Sequence, residues 1–437
     1  MTRKMHIGVV LVNGPTQHIV GEWSLPRQIT GYDWRTPAFW EDIARTLERG
    51  KFDMVFLGDT MAANDNYAGS PDAAIKYSLQ FPAHDPMPLL PYMAAVTSRI
   101  GLVATASTSY THPYTTARTF ATLANLTSGR VGWNAVASSH RAESENFGCD
   151  SVVPSAERYD RADEYVEVCK KLWASWDRGA MVLDKEAKIW GDPTKIRPIN
   201  HEGRFFKSKG PLNVSPAPSG SPVIAGAGQS DRGLDFCARH SEVVFAIQFT
   251  GEAMKRQRDR FREKLVAQGR DPNSVSILWG VLPIIGETPE AAHAKEQMIL
   301  DSVPPEGGLA FMSAHFGIDG SIFQLDDLLE SAETDTGSRG LLDTLAKNYG
   351  RTVTVGEAGK LYGCGISPHV VGTAEQVADR LEHLYDEAGG DGFLLMTHYL
   401  PGSLHEFVEL VIPILQDRGR FRREYKGSTL REHLSED

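Results

Sequence analysis

Eight short apolar runs, spread along the whole chain and each followed by polar turns and helical periodicity, constrain the fold more than any other feature. They are Met5–Val12, Phe52–Leu57, Ile100–Ala106, Val131–Ala137, Pro222–Gly228, Glu242–Ile247, Ser276–Ile285 and Gly392–Met396. Runs this brief and this continuously apolar suit strands covered on both faces, as in a parallel sheet. Between them, apolar residues recur at helical spacing, as at Phe39, Ile43 and Leu47, and Gly50 then stops the helix. About eight βα repeats close most naturally as a (β/α)8 TIM barrel, and the 437 residues read as a single elaborated barrel domain. Two stretches break the pattern. Residues 177–210, charged and carrying Trp190, Phe205 and Phe206, read as an insertion of short strands, and residues 300–368 as a larger one, a lid over the rim. The charged tail from Asp417 is expected to drape over the surface.

Composition narrows the function. No window reaches the roughly 20 consecutive apolar residues of a membrane span, and the short apolar run after the N-terminal Met-Thr-Arg-Lys lacks a secretory cleavage pattern, so the cytoplasm is expected. A net charge of −11 repels nucleic acid. Cys149, Cys169, Cys237 and Cys364 stand far apart, and the 14 histidines form no metal-binding pair, so no metal is expected. Neither a Ser-His-Asp order, a nucleophile elbow nor a Walker loop is present, which removes support for hydrolase and kinase chemistry.

In a parallel barrel the chemistry sits where strands end at their carboxyl side. His18 lies in the loop after the first run, Asp59 directly after the second, and Tyr67 further along that loop. The third run ends in hydroxyls from Thr105 to Tyr110, Asn134 sits mid-strand in the fourth, and His140 follows it. His315 falls in the second insertion. Singly, Asp59 also reads as a turn residue and the histidines as ordinary loop or core groups; their shared rim location is what suggests a pocket.

The stretch Gly210–Phe245 reads as strand, glycine turn, helix and strand. Ser230 occupies an N-cap position just after Gly226 and Gly228, and free N–H groups beyond it suit an anion such as phosphate. The plain alternative is a turn with a helix cap. Barrels usually hold phosphate after the seventh and eighth strands, whereas this turn follows about the fifth, and the neighbouring Asp231 brings a negative charge whose direction matters.

Taken together, the stretches Ile43–Asp53, Ala94–Thr97, Gly101–Thr105, Pro113-Tyr114 with Ala117-Arg118, Ser128–Asn134, Arg158–Glu164, Gly210–Val214, Ala227–Ser230 and Leu415–Gly419 resemble one family in order and across most of the chain. This is the bacterial-luciferase-like flavin monooxygenases, in the branch of the nitrilotriacetate, EDTA, dibenzothiophene-sulfone and long-chain alkane monooxygenases. The resemblance implies a TIM barrel that takes FMNH2 from a separate NAD(P)H-dependent flavin reductase and oxygenates a small organic substrate with O2 through a C4a-(hydro)peroxyflavin. It places the FMN contacts on Asp59, Thr105, Asn134, Tyr159, Gly228, Gln229 and Ser230, with Tyr159 and Ser230 at the phosphate. It places the reaction cavity at His18, Tyr67 and His315, with His140 facing the same region. A homodimer or homotetramer is implied as well. A deazaflavin-dependent oxidoreductase on the same barrel and a silent flavin-binding protein are the alternatives. Aromatic and aliphatic residues near the rim, Trp23, Phe245 and Ile247, lean the substrate towards an apolar or sulfur-containing compound.

Overall fold

All eight runs form strands, and these pair in parallel around a closed ring. The computed structural model describes residues 4–29, 33–217, 219–329 and 352–436. In chain order the strands are β1 (His6–Val12), β2 (Met54–Gly58), β3 (Gly101–Ser107), β4 (Val131–Val136), β5 (Val223–Gly226), β6 (Val243–Ala246), β7 (Ser276–Ile285), β8 (His369–Gly372) and β9 (Gly392–Leu395). The ring runs β6-β5-β4-β3-β2-β1-β9-β7 and closes through β7 on β6, where Val243 faces Ser276. β8 stands outside this ring. It extends the sheet by pairing with Leu282–Ile285, the far end of β7, and its only apolar residues, Val370 and Val371, make too short an apolar run to be noticed in the sequence.

Successive side chains in a strand face opposite ways, and the core divides accordingly. Val9, Val55, Leu102, Trp133 and Ile224 point outward into the layer shared with the helices, whereas Val10, Phe56, Val103 and Ala225 fill the interior. The helices supply the outer wall. Pro37–Arg49 (α1), for example, buries Phe39, Ile43 and Leu47 on one side. Residues 181–208 include two hairpins, an exposed one of Met181–Asp184 with Ile189–Gly191 and a second of His201–Glu202 with Lys207–Ser208, whose Phe206 is buried in the core. In the region after β7, Pro305–Phe316 (α2) packs against Val355–Gly363 (α3), with Leu309, Met312, Val355 and Ala358 forming a small core of their own.

The tail does not drape over the surface. Phe421, Leu430 and His433 are buried, and a short final helix, Leu430–Leu434, sits under the amino-terminal end of the barrel. Arg422 meets buried Asp53 at 2.6 Å, and Asp53 also accepts from the Ile7 amide at 2.7 Å, so a charge that looked solvated neutralises a carboxylate at the barrel floor. Leu430 is the plug itself. A Cβ on Gly101 would lie 2.5 Å from its Cδ1 and one on Gly132 3.1 Å from its Cδ2, so the strands present glycine where this side chain enters. L430A is expected to destabilise the protein by about 2–5 kcal/mol, the usual cost of a buried leucine truncation, read from the urea midpoint at unchanged m-value.

Candidate active site

Barrel neighbours carry neighbouring parts of the site. β1 to β5 lie side by side, and their carboxyl ends deliver His18, Asp59, Thr105 with Asn134, and Gly228–Ser230 in that spatial order. Residues more than two hundred positions apart in sequence thus share one arc of the rim.

At the β5 end the chain turns through Ala227–Gln229 into the helix Asp231–His240 (α4). Ser230 caps it, its Oγ accepting the Gly233 amide at 3.1 Å. The turn admits no side chain at Gly228: a Cβ there would lie 2.7 Å from the Gly233 carbonyl carbon and oxygen. Tyr159 leans over the corner from the helix Ser155–Trp173, since a Cβ on Gly233 would come within 2.8 Å of its hydroxyl. Asp163 locks the two helices together, accepting from Arg232 at 2.7 Å, Arg239 at 2.6 Å and His240 at 2.9 Å. Asp231 is turned away and neutralised by Arg260 at 2.6 Å and Lys264 at 2.9 Å, so its charge does not oppose an anion at the corner. Gln229 and Ser230 are exposed, and Arg158 Nε and Arg232 Nη1 are buried without a hydrogen-bond partner. Exposed N-cap, small-residue turn and unspent guanidinium donors suit a phosphate.

One and two strands further along, Thr105 and Asn134 face each other across β3 and β4, and the Asn134 amide donates to Thr105 Oγ1 at 2.9 Å. Thr105 Oγ1 donates in turn to the Leu57 carbonyl at 2.8 Å. Asn134 Oδ1 is left buried with no hydrogen-bond partner, an acceptor that a ring N–H would satisfy. Asp59 is half-buried beside them, on a cleft of about 440 Å³ that Thr105, Ser107 and Tyr110 also line. Burial, with the Asp85 and Glu143 carboxylates, raises its pKa to about 7. A larger groove, about 770 Å³, lies on the outer wall between Trp173 and Pro222 and contains none of the expected site residues.

The histidines gather above the β1 side. His18 is buried and its Nε2–H donates to the Val10 carbonyl at 2.9 Å, which leaves Nδ1 as the free nitrogen. His315, on α2, donates Nδ1–H to the Phe311 carbonyl at 3.1 Å and leaves Nε2 free. Burial lowers both pKa values to about 4, and at His315 the fields of His140 and His18 push the same way, which places the three rings near one another. The His315 side chain keeps exposed area. Phe311 stands edge-on to it and Tyr362 tilted, with ring centroids 4.4 and 5.8 Å away. Tyr67 packs on both the barrel core and the α2–α3 core. Its loop is pinned from two directions. The Met61 amide donates to Glu143 at 3.0 Å from the short helix that His140 caps, and the Ala68 amide donates to Asp319 at 2.9 Å.

Three groups escaped the sequence reading. Arg158 and Arg232 lie beside Tyr159 and Ser230, and proximity in sequence was the signal available for both. His398, just past β9, is buried with neither ring nitrogen hydrogen-bonded and a pKa pushed down to about 3 by burial first and by nearby Lys295, His369 and Arg27. The strand-end rule that nominated Asp59 would have found it. Trp23, by contrast, is exposed, while Phe245 and Ile247 pack on the barrel interior.

A parallel barrel with a capped glycine turn at one strand end, a buried acceptor unpaired among the described residues on the next and histidines beyond suits a barrel enzyme that binds a cofactor. The chain belongs to the luciferase-like monooxygenase family, whose model matches residues 5–392. It is 40% identical to a dibenzothiophene-sulfone monooxygenase of Rhodococcus erythropolis strain XP, over 99% of this chain and 96% of that one. It is likewise 40% identical to nitrilotriacetate monooxygenase component A of Aminobacter aminovorans, covering 92% of each. The crystal structure of a riboflavin lyase with modified FMN and riboflavin superposes with a TM-score of 0.89 at 33% identity, covering 99% of this chain and 96% of the other.

Proposed function

We propose that the protein is the oxygenase of a two-component system, binding FMNH2 made by a separate NAD(P)H-dependent flavin reductase and oxygenating a small apolar or sulfur-containing compound. The observation that carries the reading is Asn134 Oδ1, buried and unpaired one strand away from the Ser230 corner. A flat ring bearing N–H groups on a chain that ends in phosphate satisfies both at once. When bound, the reduced flavin supplies the activation of oxygen. Thr105, Asn134 and Asp59 would hold its ring, and Tyr159, Gly228, Gln229 and Ser230, with Arg158 and Arg232, its phosphate. A partner reductase is supported by the designation of one relative as component A.

The protein's own chemistry is proton handling and shielding. Because His18 and His315 each spend their N–H on a backbone carbonyl and stay neutral down to about pH 4, each presents a lone pair and acts as a proton acceptor towards substrate or bound oxygen. Tyr67 and His140 complete the polar wall. Phe311, Phe316 and Tyr362 around His315 suit an apolar substrate, in keeping with the sulfone that names one relative.

Supplying FMN, NADH and a flavin reductase, then screening sulfones, thioethers, alkanes and aminopolycarboxylates for oxygenated product by mass spectrometry, tests the proposal directly. Product formed with reduced deazaflavin but not with FMNH2 would overturn the cofactor assignment. Asp59 makes a pH prediction. Its raised pKa means that it is neutral below about pH 7 and anionic above, so FMNH2, itself anionic, binds more weakly as the pH rises through that value. D59N removes this part of the dependence, and the difference between the two Kd curves, from anaerobic fluorescence titration at pH 6 to 9, isolates it.

A further inference from the structure

The turn that carries His18 is organised around a carboxyl group that no mechanism step uses. Glu22 is completely buried, and among the described residues no cationic side chain pairs with it. The Gln17 amide donates to its Oε2 at 2.8 Å, and the amides of His18 and Ile19 lie close enough to favour its ionised form. Its own amide donates back to the Ile19 carbonyl at 3.1 Å, so the turn closes on the carboxyl from both sides. Oε1 keeps no hydrogen-bond partner, and burial, outweighing the amides, lifts the pKa to about 8. Gln17 braces the other side, its side chain bonding the Val12 amide at 2.7 Å, the Val12 carbonyl at 3.0 Å and the Gly14 carbonyl at 2.9 Å.

Burying a carboxyl without a cation is unfavourable, and an apolar residue would occupy a buried position such as this at lower cost. What an apolar residue lacks is an acceptor for converging amides. We propose that Glu22 is a positioning residue: it gathers the Gln17–Ile19 amides and thereby aims the His18 ring, with Nε2 on the Val10 carbonyl and Nδ1 left free. This rests on the role given to His18 above, but the two fail separately.

The test is E22M, alone and combined with H18N. Methionine keeps the length of the side chain but removes the acceptor oxygens, so the converging amides lose their partner. In the crystal structure of E22M the His18 to Val10 contact should be lost or the turn displaced by about 1 Å or more. With dibenzothiophene sulfone as the probe, or the best substrate from the screen, kcat should fall at least about tenfold with KM and the FMNH2 Kd unchanged. In the H18N background E22M should cost nothing more, because it acts through a ring already gone. An unmoved turn in the E22M crystal structure overturns the proposal. So do a fall in FMNH2 affinity and melting temperature in place of kcat, and effects of E22M and H18N that multiply. A displaced His18 together with a fully active H18N sinks the role of His18 instead and leaves the positioning intact. Should E22M fail to fold, Q17L relaxes the same turn from the other side and is held to the same kcat and H18N criteria.

Discussion

Replacing both His18 and His315 by asparagine is expected to abolish product formation, by about 10²–10⁴-fold in kcat, while FMNH2 binding stays within about threefold. Each ring donates its one N–H to a carbonyl of its own neighbourhood, at 2.9 Å to Val10 and 3.1 Å to Phe311. Each therefore leaves its other ring nitrogen as an acceptor. Asparagine can keep the backbone bond but offers no basic nitrogen, so proton transfer is lost while the fold is kept. Neither residue is placed at the Ser230 corner or the Asn134 acceptor, which is why flavin affinity should not follow. Retained product formation in the double variant, measured with the reductase supplying FMNH2, would show that the proton acceptor lies elsewhere, with His398 the next group to replace. The same variant also separates an oxygenase from a silent flavin carrier, for which both measurements would be unchanged.

G228A should cost FMNH2 affinity about a hundredfold or more, a larger loss than S230A. The added methyl would stand 2.7 Å from the carbonyl carbon and oxygen of Gly233, and these are backbone atoms that cannot swing aside. The corner has to open, which pulls the Ser230 cap and the α4 amides off the phosphate together. S230A removes one hydroxyl and its 3.1 Å bond to Gly233, leaving the turn in place; a loss of about tenfold is expected. Anaerobic titration of both variants with FMNH2 checks the order. If G228A binds as tightly as the parent, the phosphate does not lie at this turn.

Much of the barrel was legible because its strands are buried on both faces. A strand such as Val131–Val136, with Trp133 outward and Asn134 inward, has to read as a short apolar run broken by its one polar residue. β8 escaped because Val370 and Val371 alone make no apolar run, and the tail was misjudged because a high charge count hides single anchors. Arg422 and Leu430 look like any other members of a polar tail until Asp53 and the glycines of β3 and β4 meet them. The same limit applies to charge at the corner: Asp231 reads as a threat to phosphate until Arg260 and Lys264 are seen to hold it.

The sequence by itself determined the alternation of strand and helix, the strand ends at which polar groups collect, and the capped turn at Ser230, because each depends on residues close together in the chain. Only the tertiary structure decided which nitrogen each histidine leaves free, that Asn134 Oδ1 is unpaired, and that Glu22 sits beneath the His18 turn. Those properties are set by which backbone carbonyls and amides arrive alongside a side chain, and that depends on how the ring of strands closes.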